Sequence, residues 1–187
     1  MRVTRSFCPT GFREMTGHST SMLRLRKDAL IALAWLAAFA VAMAYVEAAV
    51  VAYLRLLYYP DGFSIEGAAS LQCVPPTVLA IEIGREAATI VMLAAVALLS
   101  ARKNWWERLA HFMWAFALWD IFYYVWLYVL LRWPSGPMTI DVLFLIPRPW
   151  IAPVFVPVVA SLLMMGAALA ILSRECVRRA GGRRMRT

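Results

Sequence analysis

The sequence predicts an all-α integral membrane protein: a bundle of four transmembrane helices with both termini on the cytoplasmic side. Three observations predict it. Of the 187 residues, 63% are hydrophobic and the mean hydropathy is +0.68, whereas a soluble domain is near half apolar. The apolar residues fall in four runs, each of about the 20 residues that a hydrocarbon core demands. Lys and Arg gather at one side of those runs.

The first run, about 29–57, holds a single acid, Glu47. The second covers 79–100 and the third 105–132. The fourth, 150–173, has Pro153 and Pro157 in its opening turns, where proline costs a helix least. Residues 1–28 form a basic tail and 174–187 an Arg-rich one. Between the third and fourth runs, Val142-Leu-Phe-Leu-Ile146 is apolar but too short to cross. Flanked by Pro137 and by Pro147-Arg-Pro-Trp150, it is expected to lie in the interface or re-enter.

Charge sets the orientation. Six cations precede residue 29, three lie between Arg102 and Arg108, and six follow residue 173, which places fifteen of the 19 Lys and Arg on one side. Only Arg55, Arg132 and Arg148 fall on the other, with Arg85 inside the second run. Cytoplasmic flanks carry the excess of positive charge, so both termini are read as cytoplasmic and the membrane as the cell's inner (plasma) membrane. Tyr58, Tyr59, Trp133 and Trp150 mark the outer interface, and Trp105 and Trp106 the inner one. Ala42-Met43-Ala44 imitates a signal-peptidase site, but the apolar run continues well past it. Met22-Leu-Arg-Leu-Arg-Lys27 would serve as an alternative start of translation.

The net charge of +8 has its partner in the anionic lipids of the cytoplasmic leaflet. No aromatic stacking platform is interleaved with the cations, which argues against nucleic acid. Cys8 and Cys176 fall on the reducing side and Cys73 is alone on the other. Neither a disulfide framework nor a redox motif is supported.

The stretch Ile81-Glu-Ile-Gly-Arg-Glu-Ala-Ala-Thr-Ile90 places two carboxylates and a guanidinium inside a membrane span. At about 100° per residue, Glu82, Arg85, Glu86 and Thr89 share one helical face. Glu47 in the first span and Asp120 in the third lie at similar depth, from mid-membrane to the outer surface. Tyr123 and Tyr124 follow Asp120 at i+3 and i+4, so both hydroxyls can lie near that carboxylate. Ionisable residues within a span face the bundle or a water-filled cavity, because lipid exposure is costly. Four acids against one base also leave a negative excess, which calls for protons, a cation or water. A staple built only for packing needs no such excess. The cluster Glu47, Glu82, Arg85, Glu86, Asp120, Tyr123 and Tyr124 is therefore the candidate ligand-binding or proton-relay site, with Arg85 as its hub and the cavity between the first three helices.

Other chemistries find less support. No Glu-x-x-His pair offers a di-iron site, and the one membrane-region histidine, His111, points away from Asp120 and is expected to contact Glu107 at i−4. No metal site is expected, and no cofactor is specified. Ser161 has no evident base nearby, and G-x-S-x-G is absent. Phosphate-cradling glycine loops are also missing. The aromatic density from Trp114 to Tyr128 reads as helix-packing surface. Paired carboxylates could serve as general acid and base, so an enzyme acting on a lipid-phase substrate is the alternative function, and a scaffold is a third.

The segments Glu82-Ile-Gly-Arg-Glu-Ala-Ala-Thr89 and Trp119-Asp-Ile-Phe-Tyr-Tyr-Val-Trp-Leu127, with Tyr58-Tyr-Pro60 and Asp141-Val-Leu-Phe-Leu-Ile-Pro147, resemble those of uncharacterised bacterial polytopic inner-membrane proteins of similar length. That resemblance implies location and topology and brings no activity. The leading expectation is a small transporter-like protein or complex subunit that binds a cation or polar solute, or relays protons. Four spans enclose little volume, so a transporter would work as a homo-oligomer or within a larger membrane complex. Reporter fusions test the orientation: those at residue 104 and the C-terminus should read cytoplasmic, and those near residues 66 and 138 periplasmic. A periplasmic C-terminus would overturn it.

Overall fold

The computed structural model describes the backbone of residues 11–59, 74–101 and 104–184, and the side chains of 27–59, 74–101 and 104–179. The chain runs α1 (Gly11–Tyr58), α2 (Pro76–Ser100), α3 (Trp105–Leu131), β1 (Ile140–Phe144), β2 (Trp150–Pro153) and α4 (Phe155–Arg184). All four helices are long and apolar enough to cross a membrane, over Lys27–Tyr58, Pro76–Ser100, Trp105–Leu131 and Phe155–Arg179. The protein is a four-helix, multi-pass membrane bundle. Cys8 and Cys73 lie outside the described residues, as do the side chains of most cations in the two tails. Within the described residues the tails continue the helices: α1 begins at Gly11 and α4 runs to Arg184.

The helix ends follow from local sequence. Pro76 opens α2 at a position whose N–H would have no intrahelical acceptor. Asn104 caps α3 by accepting from the Trp106 amide at 3.3 Å. Arg132 closes α3 in the left-handed region (φ 55°) and returns its amide to the Tyr128 carbonyl at 2.9 Å. Its guanidinium lies over the Tyr128 ring.

The fourth helix starts later than expected. Trp150–Pro153 belong to a two-stranded antiparallel hairpin with Ile140–Phe144, paired Ile140 to Pro153, Asp141 to Ala152, Val142 to Ile151 and Phe144 to Trp150. Pro153 ends the pairing because it has no amide to donate. The amides that follow go back across the turn, Val154 to the Thr139 carbonyl at 3.0 Å and Phe155 to that of Pro137 at 2.9 Å. Pro157 does fall in the first turn of α4. The Val142–Ile146 run is thus mostly strand, with a bulge between Val142 and Phe144.

α3 is the central helix and packs against α1, α2 and α4, whereas α1 and α2 touch little. The α1–α3 seam is close because α1 presents alanines to it. Leu36, Ala40, Ala44 and Ala48 are buried at spacings of four along one face, and small residues let helix backbones approach in lipid. α3 answers with Ala115, Trp119, Tyr124 and Leu127. Two indoles cross the seam: Trp114 donates to the Leu33 carbonyl at 3.2 Å and Trp126 to that of Val41 at 3.1 Å. Those carbonyls accept on their second lone pair. Side chains such as Trp35, Leu57, Leu99 and Leu163 stay exposed on the outer faces, which suits contact with lipid tails.

Ala44 is fully buried in that seam. Ala44→Leu should therefore overpack it and cost about 1–3 kcal/mol of unfolding free energy in detergent. The same change at exposed Ala42 should be nearly neutral. Equal effects at both positions would contradict the assigned seam.

Candidate functional site

At the hairpin end of the bundle a cavity of about 140 Å³ opens between α1, α2, α3 and β1. Glu47 and Arg55 reach it from α1, and Glu82, Arg85 and Glu86 from α2. Trp119, Asp120, Tyr123 and Tyr124 border it from α3, and Asp141 with Phe144 from the hairpin. All seven residues singled out from the sequence line this one space. The hairpin forms a wall that the sequence assigned to the helices alone.

Arg85 is paired with two carboxylates. Its Nε and Nη2 donate to Glu82 Oε2 at 2.8 and 2.7 Å, and its Nη1 contacts Glu47 Oε2. Glu47 also accepts from the Thr89 hydroxyl, which lies one turn along α2 from Arg85. α2 thus meets α1 through charge rather than through interlocked apolar side chains. A guanidinium suits this role because its fork of donors can serve two acids at once.

Glu86 does something different. Both its carboxylate oxygens accept from the Leu145 backbone amide, at 3.1 and 2.9 Å. The acid therefore satisfies the amide just beyond β1 and ties the hairpin to α2.

Asp120 departs from the expected arrangement. Its Oδ2 accepts from Ser161 of α4 at 2.8 Å, so the serine that had no evident base sits against a carboxylate. Both are buried. The pair joins α3 to α4 and lacks the third group that a nucleophilic triad needs.

Three participants were missed or undervalued. Arg55, counted from the sequence only among the outer-side cations, and Asp141, given no role there, form a buried salt bridge at 3.1 Å. Arg55 also stacks 3.7 Å from the centre of the Trp133 ring. Burial pushes the Asp141 carboxyl up from its ordinary 3.8 to about 6, against the opposing pull of the Arg55 guanidinium. Asp141 Oδ2 is buried and makes no close hydrogen bond among the described residues, while the Tyr124 hydroxyl and the Val142 amide lie beside the carboxyl and also pull against the rise. A lone acid between Ile140 and Val142 was the available signal. Thr89, fully buried, was placed on the Arg85 face but left out of the candidate cluster.

The opposite end of the bundle corrects another expectation. His111 Nδ1 shares a hydrogen bond with Ser100 Oγ at 2.8 Å, and Glu107 takes Arg179 at 2.6 Å instead. Asn104 donates to Glu175, which also pairs with Arg178 at 3.0 Å. These contacts tie α3 to α2 and α4 and belong to packing.

The cavity is lined by five acids (Glu47, Glu82, Glu86, Asp120, Asp141) and two cations (Arg55, Arg85). Ionised throughout, it carries a formal excess of three negative charges. No three His, Cys, Asp or Glu among the described residues are placed to hold a metal ion. The arrangement can hold a cation in a negative field, or hold protons on acids spaced around a common volume. No protein-family model, no curated protein and no solved structure matches the chain, so each role is argued from geometry and chemistry.

Arg85→Ala should leave Glu47 and Glu82 facing one another without a counter-charge and destabilise by about 3–5 kcal/mol. Adding Glu47→Gln should recover part of that loss, a coupling on the order of 1–3 kcal/mol in a double-mutant cycle. Strictly additive losses, measured by unfolding in detergent, would contradict the hub.

Proposed function

We propose that this is a non-enzymatic inner-membrane protein, oriented with both termini in the cytoplasm, whose periplasmic-half cavity binds a cation or small polar solute or relays protons. The observation that carries this reading is the mismatch of five acids and two cations around one 140 Å³ space. Uncompensated carboxylates away from water are costly, and proteins retain such groups in membranes where ions or protons move. On this reading the protein acts as a small transporter-like unit or as a subunit of a larger complex. The apolar faces exposed on all four helices leave room for further protein contacts, and the basic tails suit the anionic cytoplasmic leaflet.

Each acid already has a structural duty, yet none uses all its acceptor capacity. A carboxylate offers about four lone-pair sites. Glu86 spends both oxygens on one amide, and Asp120 accepts one hydroxyl on Oδ2. Amide replacements would keep one acceptor oxygen for each of those donors while removing the charge. That separates packing from function experimentally.

The pH dependence follows from Asp141. A carboxyl whose folded pKa lies above its unfolded value holds its proton more tightly in the fold. Its stabilising contribution is therefore complete below about pH 4 and lost as pH rises through about 6. Thermal stability in detergent should fall across that window, and Asp141→Asn should flatten this part of the curve. Above pH 7 a bound cation should restore the loss in a saturable manner, and Asp120→Asn and Glu86→Gln should weaken that response while the protein stays folded. A flat pH profile with no response to any cation or solute would leave a packing staple as the better account.

A further inference from the structure

Resting on the reading just proposed, the lining of the cavity narrows the ligand class. We infer that the site takes a small ammonium group clothed in methyl or methylene carbons, free or at the end of a lipid headgroup, in preference to a bare metal ion.

A bare metal ion needs several oxygens converging on one point, stripped of other duties. The acids here are dispersed around the wall, and no three are placed to ligate together among the described residues. Each also has a fixed protein partner on at least one oxygen. A diffuse organic cation asks for less. It needs a surrounding negative field and aromatic faces, which attract it through the ring quadrupole.

The cavity has both. Trp119, Tyr123, Tyr124 and Phe144 border it alongside the acids. The Trp119 and Phe144 rings lie 6.3 Å apart and the Trp119 and Tyr123 rings 6.4 Å apart, so the aromatic wall is continuous. A buried acceptor with spare capacity is also present. Asp141, 1% exposed, lines the cavity, and its Oδ2 makes no close hydrogen bond among the described residues, while the Tyr124 hydroxyl and the Val142 amide lie beside the carboxyl. Its other oxygen is held by Arg55 at 3.1 Å, so the carboxylate is fixed in place rather than free to turn away. Size agrees as well. A cavity near 140 Å³ compares with the roughly 150 Å³ that holds one benzene molecule, which admits a tetramethylammonium-sized cation and excludes a long polyamine.

The test uses the full-length protein in detergent at pH 7.5, with thermal unfolding as the readout. Tetramethylammonium chloride is compared with matched sodium and potassium chloride, and with tert-butanol as an uncharged isostere. Tetramethylammonium should stabilise saturably beyond either salt, and tert-butanol should not. Phe144→Leu, which removes one ring face but no charge, should weaken apparent affinity about fivefold or more, and Asp141→Asn should abolish the response. Should Asp141→Asn fail to fold, Phe144→Leu alone decides. Nanodiscs separate the two sources. Protection in phosphatidylcholine over phosphatidylglycerol discs without added salt assigns the headgroup, and equal protection with a remaining tetramethylammonium response assigns a free amine. Stabilisation by sodium, potassium or protons alone overturns this inference and leaves the cation or proton site standing. Equal stabilisation by tert-butanol also overturns it. No shift with any probe or pH removes both.

Discussion

One half-buried guanidinium holds the second helix to the first. Helices in lipid gain nothing from hiding apolar surface, because the tails around them are as apolar as leucine. α1 and α3 associate through a seam of alanines and two indole hydrogen bonds. α2 has no such seam with α1. What it has is Arg85, set between Glu47 of α1 and Glu82 of its own preceding turn, with Thr89 closing on the same Glu47. Because that junction is made of charge rather than of packed carbon, a space remains beside it.

The hairpin depends on the same logic. Extended backbone at membrane depth is tolerated only where protein or water satisfies its amides. The pairing of β1 with β2 satisfies some of them, and Glu86 satisfies that of Leu145. Asp141 anchors the first strand to Arg55, and Phe144 stacks near Phe116 and Trp119. The hairpin is thus fastened to α1 through Asp141, to α2 through Glu86 and to α3 through Phe144. Acids that look redundant as a cluster turn out to be distributed: Glu47 joins α1 to α2, Glu86 joins α2 to the hairpin, Asp120 joins α3 to α4 and Asp141 joins α1 to the hairpin, while Glu82 holds Arg85 within α2.

This distribution explains what the sequence could and could not convey. The four spans were legible because twenty-residue apolar runs have few alternatives. Glu47, Arg85, Glu86 and Asp120 were legible because each interrupts such a run, and depth counting put them together. Pairing was not legible. Ser161 gave no hint of Asp120, since helices 41 residues apart in sequence can meet at any rotation. His111 chose Ser100 over Glu107 because Arg179, far along the chain, claims Glu107. The hairpin was hidden by its composition, as an apolar run beside prolines reads equally as strand, interface segment or fourth-span start. Arg55 and Asp141 sat where charges are ordinarily cheap, at span ends and in loops, so nothing marked them as buried partners.

On the proposed function, the cavity's surplus of carboxylates is balanced by something other than its two arginines. The most direct test is a high-resolution structure of the protein purified from its native membrane without prior exchange of lipid or ions. Non-protein density beside Asp141 Oδ2 and the Trp119–Phe144 wall, or ordered water linking Asp120, Glu86 and Asp141, is the predicted result. A collapsed, dry cavity with every acid paired directly to a protein donor would contradict it.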